Sequence, residues 1–90
     1  MIINVSNRFK RAYKKLPNSL RNDVDEKLRI FMTNQKDVRL GSHKLKWKLE
    51  HYLAFELRNG HRVLYEYINK ETINLLDVGN HDKYKDWEKV

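Results

Sequence analysis

The hydrophobic period changes from helical to strand-like in the middle of this chain, and that change bounds the fold more tightly than any motif does. Between residues 6 and 33 the apolar side chains recur at helical spacing. Phe9, Ala12, Tyr13 and Leu16 fall at i, i+3, i+4 and i+7, while Arg8, Lys10, Arg11, Lys14 and Lys15 occupy the other sides. Leu20, Val24, Leu28, Phe31 and Met32 form a second stripe. Pro17 separates the two because it cannot continue a helix, and Asn18 or Ser19 is placed to cap the second one. From His43 onward the period is two. Leu45, Trp47 and Leu49 alternate with Lys44, Lys46 and Lys48, as in a strand with one buried and one wet face. Leu53, Phe55 and Leu57 follow, then Val63, Tyr65 and Tyr67, then the near-continuously apolar stretch from Thr72 to Val78, expected inside the sheet. At the front, residues 1–5 read as a short β-branched strand and Ser6 as the cap of the first helix. The expected fold is a single α+β domain over residues 1–90. An N-terminal strand and a helical hairpin pack on one face of a small, mainly antiparallel twisted sheet.

Asn59-Gly60 fixes which side chains share a face. A two-residue loop sets Leu57 opposite Arg62 and buries a charge. A three-residue loop, Arg58 to Gly60 with Gly60 left-handed, sets Glu56 opposite Arg62 and Phe55 opposite Val63. Only the second register keeps the odd-numbered residues of both strands apolar and inward. The wet face is then expected to carry Lys44, Lys46, Glu56 and Arg62, with the Asn80-His81 loop arriving beside them. Residues 80–90 form a polar tail anchored by Trp87.

Composition narrows the chemistry. Nineteen Lys and Arg against twelve Asp and Glu give a net charge of +7, which suits a polyanion or an acidic protein partner. No cysteine is present, which removes disulfides, thiolate nucleophiles and Cys-ligated zinc and fits a reducing cytoplasm. No stretch approaches the ~18 apolar residues of a membrane span, and no signal-peptide core is visible at the N-terminus. The four histidines lack metal-ligand spacing, the three serines sit in cap or loop contexts, and neither a P-loop nor GxGxxG is present. No metal and no cofactor is expected.

Metal-free RNA cleavage needs less apparatus, because the RNA supplies its own 2′-OH nucleophile. The protein provides a cation for the charge developing on phosphorus, a proton-transfer group and a surface that orients a base. Arg62 suits the first task, since its planar fork pairs phosphate oxygens. His81 suits the second, Lys46 holds phosphate, and Tyr84 or Trp87 can stack a base. Plain structural readings stand beside these. Arg62 and Glu56 form a cross-strand ion pair, His81 is a turn residue, and Lys44, Lys46 and Lys48 guard an edge strand. His43, His51 and His61 are exposed and inert.

Four stretches in order resemble the RelE/ParE superfamily of type II toxins, with RelE- and YafQ-like mRNA interferases the nearest in local pattern. They are Lys15-Leu16-Pro17; His43-Lys44-Leu45-Lys46; Leu57-Arg58-Asn59-Gly60-His61-Arg62-Val63-Leu64-Tyr65; and Leu76-Asp77-Val78-Gly79-Asn80-His81-Asp82, similar to the family ending D-[IV]-G-x-H-D. The resemblance implies a cytoplasmic toxin that cleaves mRNA on the ribosome and is neutralised by a cognate antitoxin, the pair binding operator DNA. It implies that Arg62 stabilises the transition state and His81 transfers a proton. Lys44 and Lys46 correspond to the RNA-holding basic strand, and Arg58, His61 and Trp87 complete the expected RNA contacts. The family's terminal aromatic falls at Lys85 here, so Tyr84 and Trp87 compete for that role. Glu56 stands where some members have lysine, and it serves as a base or mutes the site. Two alternatives share the fold: a ParE-like gyrase poison, and a decayed, non-catalytic antitoxin-binding module.

Overall fold

Ser6 ends the first strand and starts the first helix. Its hydroxyl accepts the Phe9 amide hydrogen at 3.0 Å and donates to the Leu76 carbonyl at 3.0 Å, so one side chain caps a helix and ties it to the sheet. A computed structural model describes residues 1–45 and 51–87, with the backbone alone at 84 and 85. Within it, β1 (Ile2–Val5) leads into α1 (Asn7–Lys14) and α2 (Asn18–Thr33). The strands are β2 (His43–Lys44), β3 (Leu53–Glu56), β4 (Arg62–Asn69) and β5 (Thr72–Gly79), and α3 (Tyr84–Trp87) ends the described chain. The cap of α2 differs from expectation. Pro17 itself occupies that position, and its carbonyl accepts from Leu20 and Arg21 at 3.0 Å each, so neither Asn18 nor Ser19 is needed there.

The sheet order is β1-β5-β4-β3-β2, with β1 parallel to β5 and every other pairing antiparallel. β5 is therefore an interior strand, as its apolar run suggests. The hairpin closes as the three-residue loop requires. The Leu57 amide donates to the His61 carbonyl at 2.8 Å, Glu56 faces Arg62, and Phe55 faces Val63. Asn59 and Gly60 both lie in the left-handed region, at φ 59° and 71°. A methyl group on Gly60 would meet open space, so backbone conformation alone calls for glycine. Gly60→Ala is accordingly expected to cost about 1–2 kcal/mol in thermal unfolding, and Gly60→Asn clearly less. Equal stability of both variants with the parent would contradict the turn.

The helices cover the face that carries Phe55, Leu57, Val63, Tyr65, Ile73, Leu75 and Val78. Phe31, fully buried on α2, meets Tyr65 edge-on at 5.3 Å between ring centres and Phe55 at 6.1 Å. Burial raises the Tyr65 phenol above its ordinary pKa. Tyr67, expected in the core, is only partly covered and donates to Gln35 Oε1 at 2.8 Å. Tyr13 packs on Phe9 and donates to Asp25 across the helical hairpin at 2.8 Å, a bond that raises its pKa. Trp47 lies outside the described residues.

The opposite face is not simply wet. Ala54 and Leu64 point there and are fully buried. A register shift between Leu64 and Tyr65 makes Leu76 the extra residue, so Asp77 lies opposite Leu64 and shares its face. The buried Trp87 donates its indole N–H to Asp77 at 2.8 Å, which anchors the tail as expected.

Candidate functional site

Three strand ends meet at one end of the sheet. β3 finishes at Glu56, β4 begins at Arg62 and β5 finishes at Gly79, with Arg62 opposite both Glu56 and Gly79. The Arg62 guanidinium Nε lies 2.7 Å from Glu56 Oε1. His43 Nδ1 lies 3.8 Å from the same oxygen and within hydrogen-bond distance, 3.0 Å, of the Gly41 carbonyl. Gly41 (φ 57°) brings its backbone so close to Glu56 that a Cβ would sit 3.0 Å from Glu56 Cγ. Two residues past Gly79, His81 opens a short 3-10 turn, His81–Lys83. Asn80 shapes that turn. Its side-chain oxygen accepts from the Asp82 amide at 3.1 Å and its carbonyl from the Lys83 amide at 3.0 Å.

Arg62, Glu56 and the His81 turn thus reach the same end of the sheet. Arg62 and Glu56 are 26% and 39% exposed, open enough for a phosphate to compete for the guanidinium and too open for the pair to add more than about 1 kcal/mol of stability. The arrangement can hold an oxyanion beside an imidazole and a carboxylate.

The other expected contacts part company. Lys44 pairs with Leu53, on the helix-bearing side of the sheet, and His43 takes the place on the Glu56 face expected for it. At His43 and Lys44 the parity is the inverse of the one inferred from the alternating lysines. Arg58 turns towards α2, where its amide donates to the buried Asp23 at 2.8 Å and its guanidinium lies 3.8 Å from the same oxygen. His61 lines a cleft with Lys15, Leu16, Asn80 and Lys83 on the α1 side. Trp87, expected to contact RNA, is 1% exposed and so cannot stack a base. Lys46 and the side chain of Tyr84 lie outside the described residues.

Two residues emerge from the structure that residue type alone passed over. His43 joins the cluster through its register opposite Ala54, a parity signal available only once the β2–β3 pairing is known. Asp77, fully buried, gathers partners from both ends of the chain. Charge is also unevenly placed. Residues 1–22 hold six basic side chains and no acidic one, whereas residues 23–90 hold thirteen basic and twelve acidic, so α1 and its flanks carry nearly all of the net +7. Lys10, Arg11, Lys14 and Lys15 are exposed, and no described carboxylate pairs with them. Among the described residues, no cluster of three acidic or histidine side chains could hold a metal, and no helix is long and apolar enough to cross a membrane.

No protein-family model and no curated protein matches the sequence. Solved structures do match. The YoeB/ParE toxin from Agrobacterium tumefaciens superposes with a TM-score of 0.75 at 12% identity, over 90% of this chain and 99% of that one. The toxin in the RelB–RelE antitoxin–toxin complex from Methanococcus jannaschii gives 0.74 at 17% identity, over 93% and 96%. This chain has the RelE/ParE toxin fold. YafQ from Escherichia coli strain BL21(DE3) shares it, with a TM-score of 0.65 at 16% identity over 89% and 92%. The RelE/ParE fold here spans nearly the full length of each neighbour.

Proposed function

We propose that this chain is the toxin of a type II toxin–antitoxin pair and cleaves mRNA on the ribosome without a metal. The supporting observation is the Arg62–Glu56–His43 cluster, built at the strand ends from which the His81 turn departs. Basic surface on α1 and the shared toxin fold agree with it.

In this reading the RNA 2′-oxygen attacks its own phosphate in line. Glu56, with His43 beside it, accepts the 2′-hydroxyl proton. The new O2′–P bond forms as the P–O5′ bond breaks, and His81 delivers a proton to the departing 5′-oxygen. The products are a 2′,3′-cyclic phosphate and a 5′-hydroxyl. Arg62 exchanges its contact with Glu56 for the non-bridging phosphate oxygens, where negative charge accumulates in the transition state. Lys46 and Tyr84 keep the phosphate-holding and aromatic roles that the sequence motifs imply. A cognate antitoxin neutralises the chain, as the existence of the RelB–RelE antitoxin–toxin complex suggests, and the pair binds its operator, as the sequence resemblance implies.

Primer extension on translated mRNA after induction tests the reading. Breaks within coding sequence are expected with the parent protein. With His81→Ala they are expected to fall about 10²–10⁴-fold, the range for losing a general acid, with antitoxin capture unchanged. Intact mRNA together with altered DNA supercoiling would instead identify a gyrase poison. Intact mRNA with normal growth would identify a non-catalytic module.

A further inference from the structure

The Asp77 carboxylate is fully buried, yet the cleavage chemistry proposed above does not use it. Its Oδ2 accepts from Arg8 Nε at 3.1 Å and from the Trp87 indole at 2.8 Å. Its Oδ1 accepts from the Val78 amide at 2.8 Å and faces Lys83 Nζ at 3.4 Å. A carboxylate withdrawn from water is stable only when its oxygens are satisfied and its charge is balanced, and here two cations and two N–H donors do both.

The places of these partners along the chain carry the argument. His81 lies between Asp77 and two of them, Lys83 and Trp87. The carboxylate therefore grips the His81 turn from its far side while belonging to the strand on its near side. Arg8 adds a third tie, to the start of α1. Gly79 makes the grip possible, because the Lys83 stem crosses it where a side chain would stand. A Cβ there would lie 2.3 Å from Lys83 Cδ and 3.1 Å from Lys83 Cβ. The Asx turn at Asn80 sets only the local bend. It cannot fix where the bend sits relative to Arg62, and that distance governs catalysis.

We propose that Asp77 is a positioning residue that locks the His81–Lys83 turn against the end of β5 and so sets the imidazole relative to Arg62. The catalytic half of this proposal rests on the assignment of His81 above, and the geometric half does not. A double-mutant cycle combined with amide relaxation separates the two. Asp77→Asn is expected to lower kcat for ribosome-bound mRNA roughly 10²-fold, with KM changing little. In the His81→Ala background the same substitution should cost nothing further. Equal losses in both backgrounds would overturn the proposal, because a fold defect does not depend on His81.

Nuclear magnetic relaxation of backbone amides 80–83 supplies a readout independent of activity. These amides are expected to be as rigid as the strands in the parent and mobile on the nanosecond scale in Asp77→Asn. Rigidity in both proteins would also overturn the proposal. Lys83→Met, which retains the stem over Gly79 and loses the charge, serves should Asp77→Asn not fold, and is expected to loosen the same amides. If His81→Ala retains the full rate, the functional reading fails, and the relaxation data still decide whether Asp77 holds the turn.

Discussion

Arg62→Ala is expected to reduce single-turnover cleavage of ribosome-bound mRNA by about 10²–10³-fold, equivalent to ~3–4 kcal/mol of transition-state stabilisation. Thermal stability should scarcely move. The expected loss reflects the difference between two states of this guanidinium. In the free protein it lies 2.7 Å from Glu56 in a partly exposed pair, which contributes at most ~1 kcal/mol. In the proposed transition state it would face a phosphorane carrying an extra negative charge, where the same donor counts for several times more. Arg62→Lys keeps the charge and loses the planar fork, so its activity should fall between alanine and the parent. A parent-like rate for Arg62→Ala, with its melting curve unchanged, would remove the guanidinium from the mechanism.

The largest effect on stability is expected at Phe31. Truncation to alanine should cost ~3–5 kcal/mol, the range for emptying a buried aromatic site. This ring is completely enclosed and sits among Phe55, Tyr65 and Tyr67, so it is the principal bridge from α2 to the sheet. For a domain of this size each kcal/mol shifts Tm by roughly 4–8 °C, so calorimetry should record a fall of at least ~12 °C. Phe31→Leu retains most of the apolar volume and should cost much less. A fall of only a few degrees for the alanine variant would mean that α2 is held chiefly by other contacts.

Much of this architecture is legible in the amino-acid sequence, for a definite reason. Helical and strand periods differ, and the Asn59-Gly60 dipeptide permits only one loop length that keeps Arg62 out of the core. Those two facts yield the helical hairpin, the Glu56–Arg62 pairing and the inward face. Parity failed at the edge. β2 has only two described residues, and alternating lysines are compatible with either side being buried, so His43 and Lys44 exchanged places relative to expectation. Trp87 failed differently. An aromatic near the end of a basic chain invites stacking on nucleic acid, and nothing local announces that its indole N–H is committed to a carboxylate ten residues earlier. Asp77 itself was visible only as part of a motif. One of its partners lies 69 residues away, a separation that no periodicity encodes.

The parallel pairing of β1 with β5 bears on how the molecule is made. Ile2 aligns with Thr72 and Val5 with Leu75, so β1 waits for a partner strand translated some seventy residues after it. The α1–α2 unit and the β3–β4 hairpin close over short distances and can organise early, whereas this seam has the longest loop to close. A nascent chain paused at residue 70 would have its leading strand unmatched and no partner for Arg8. Assembly of the strand ends around Arg62 would then await the emergence of Gly79, well after the helical hairpin and the β3–β4 turn have been made.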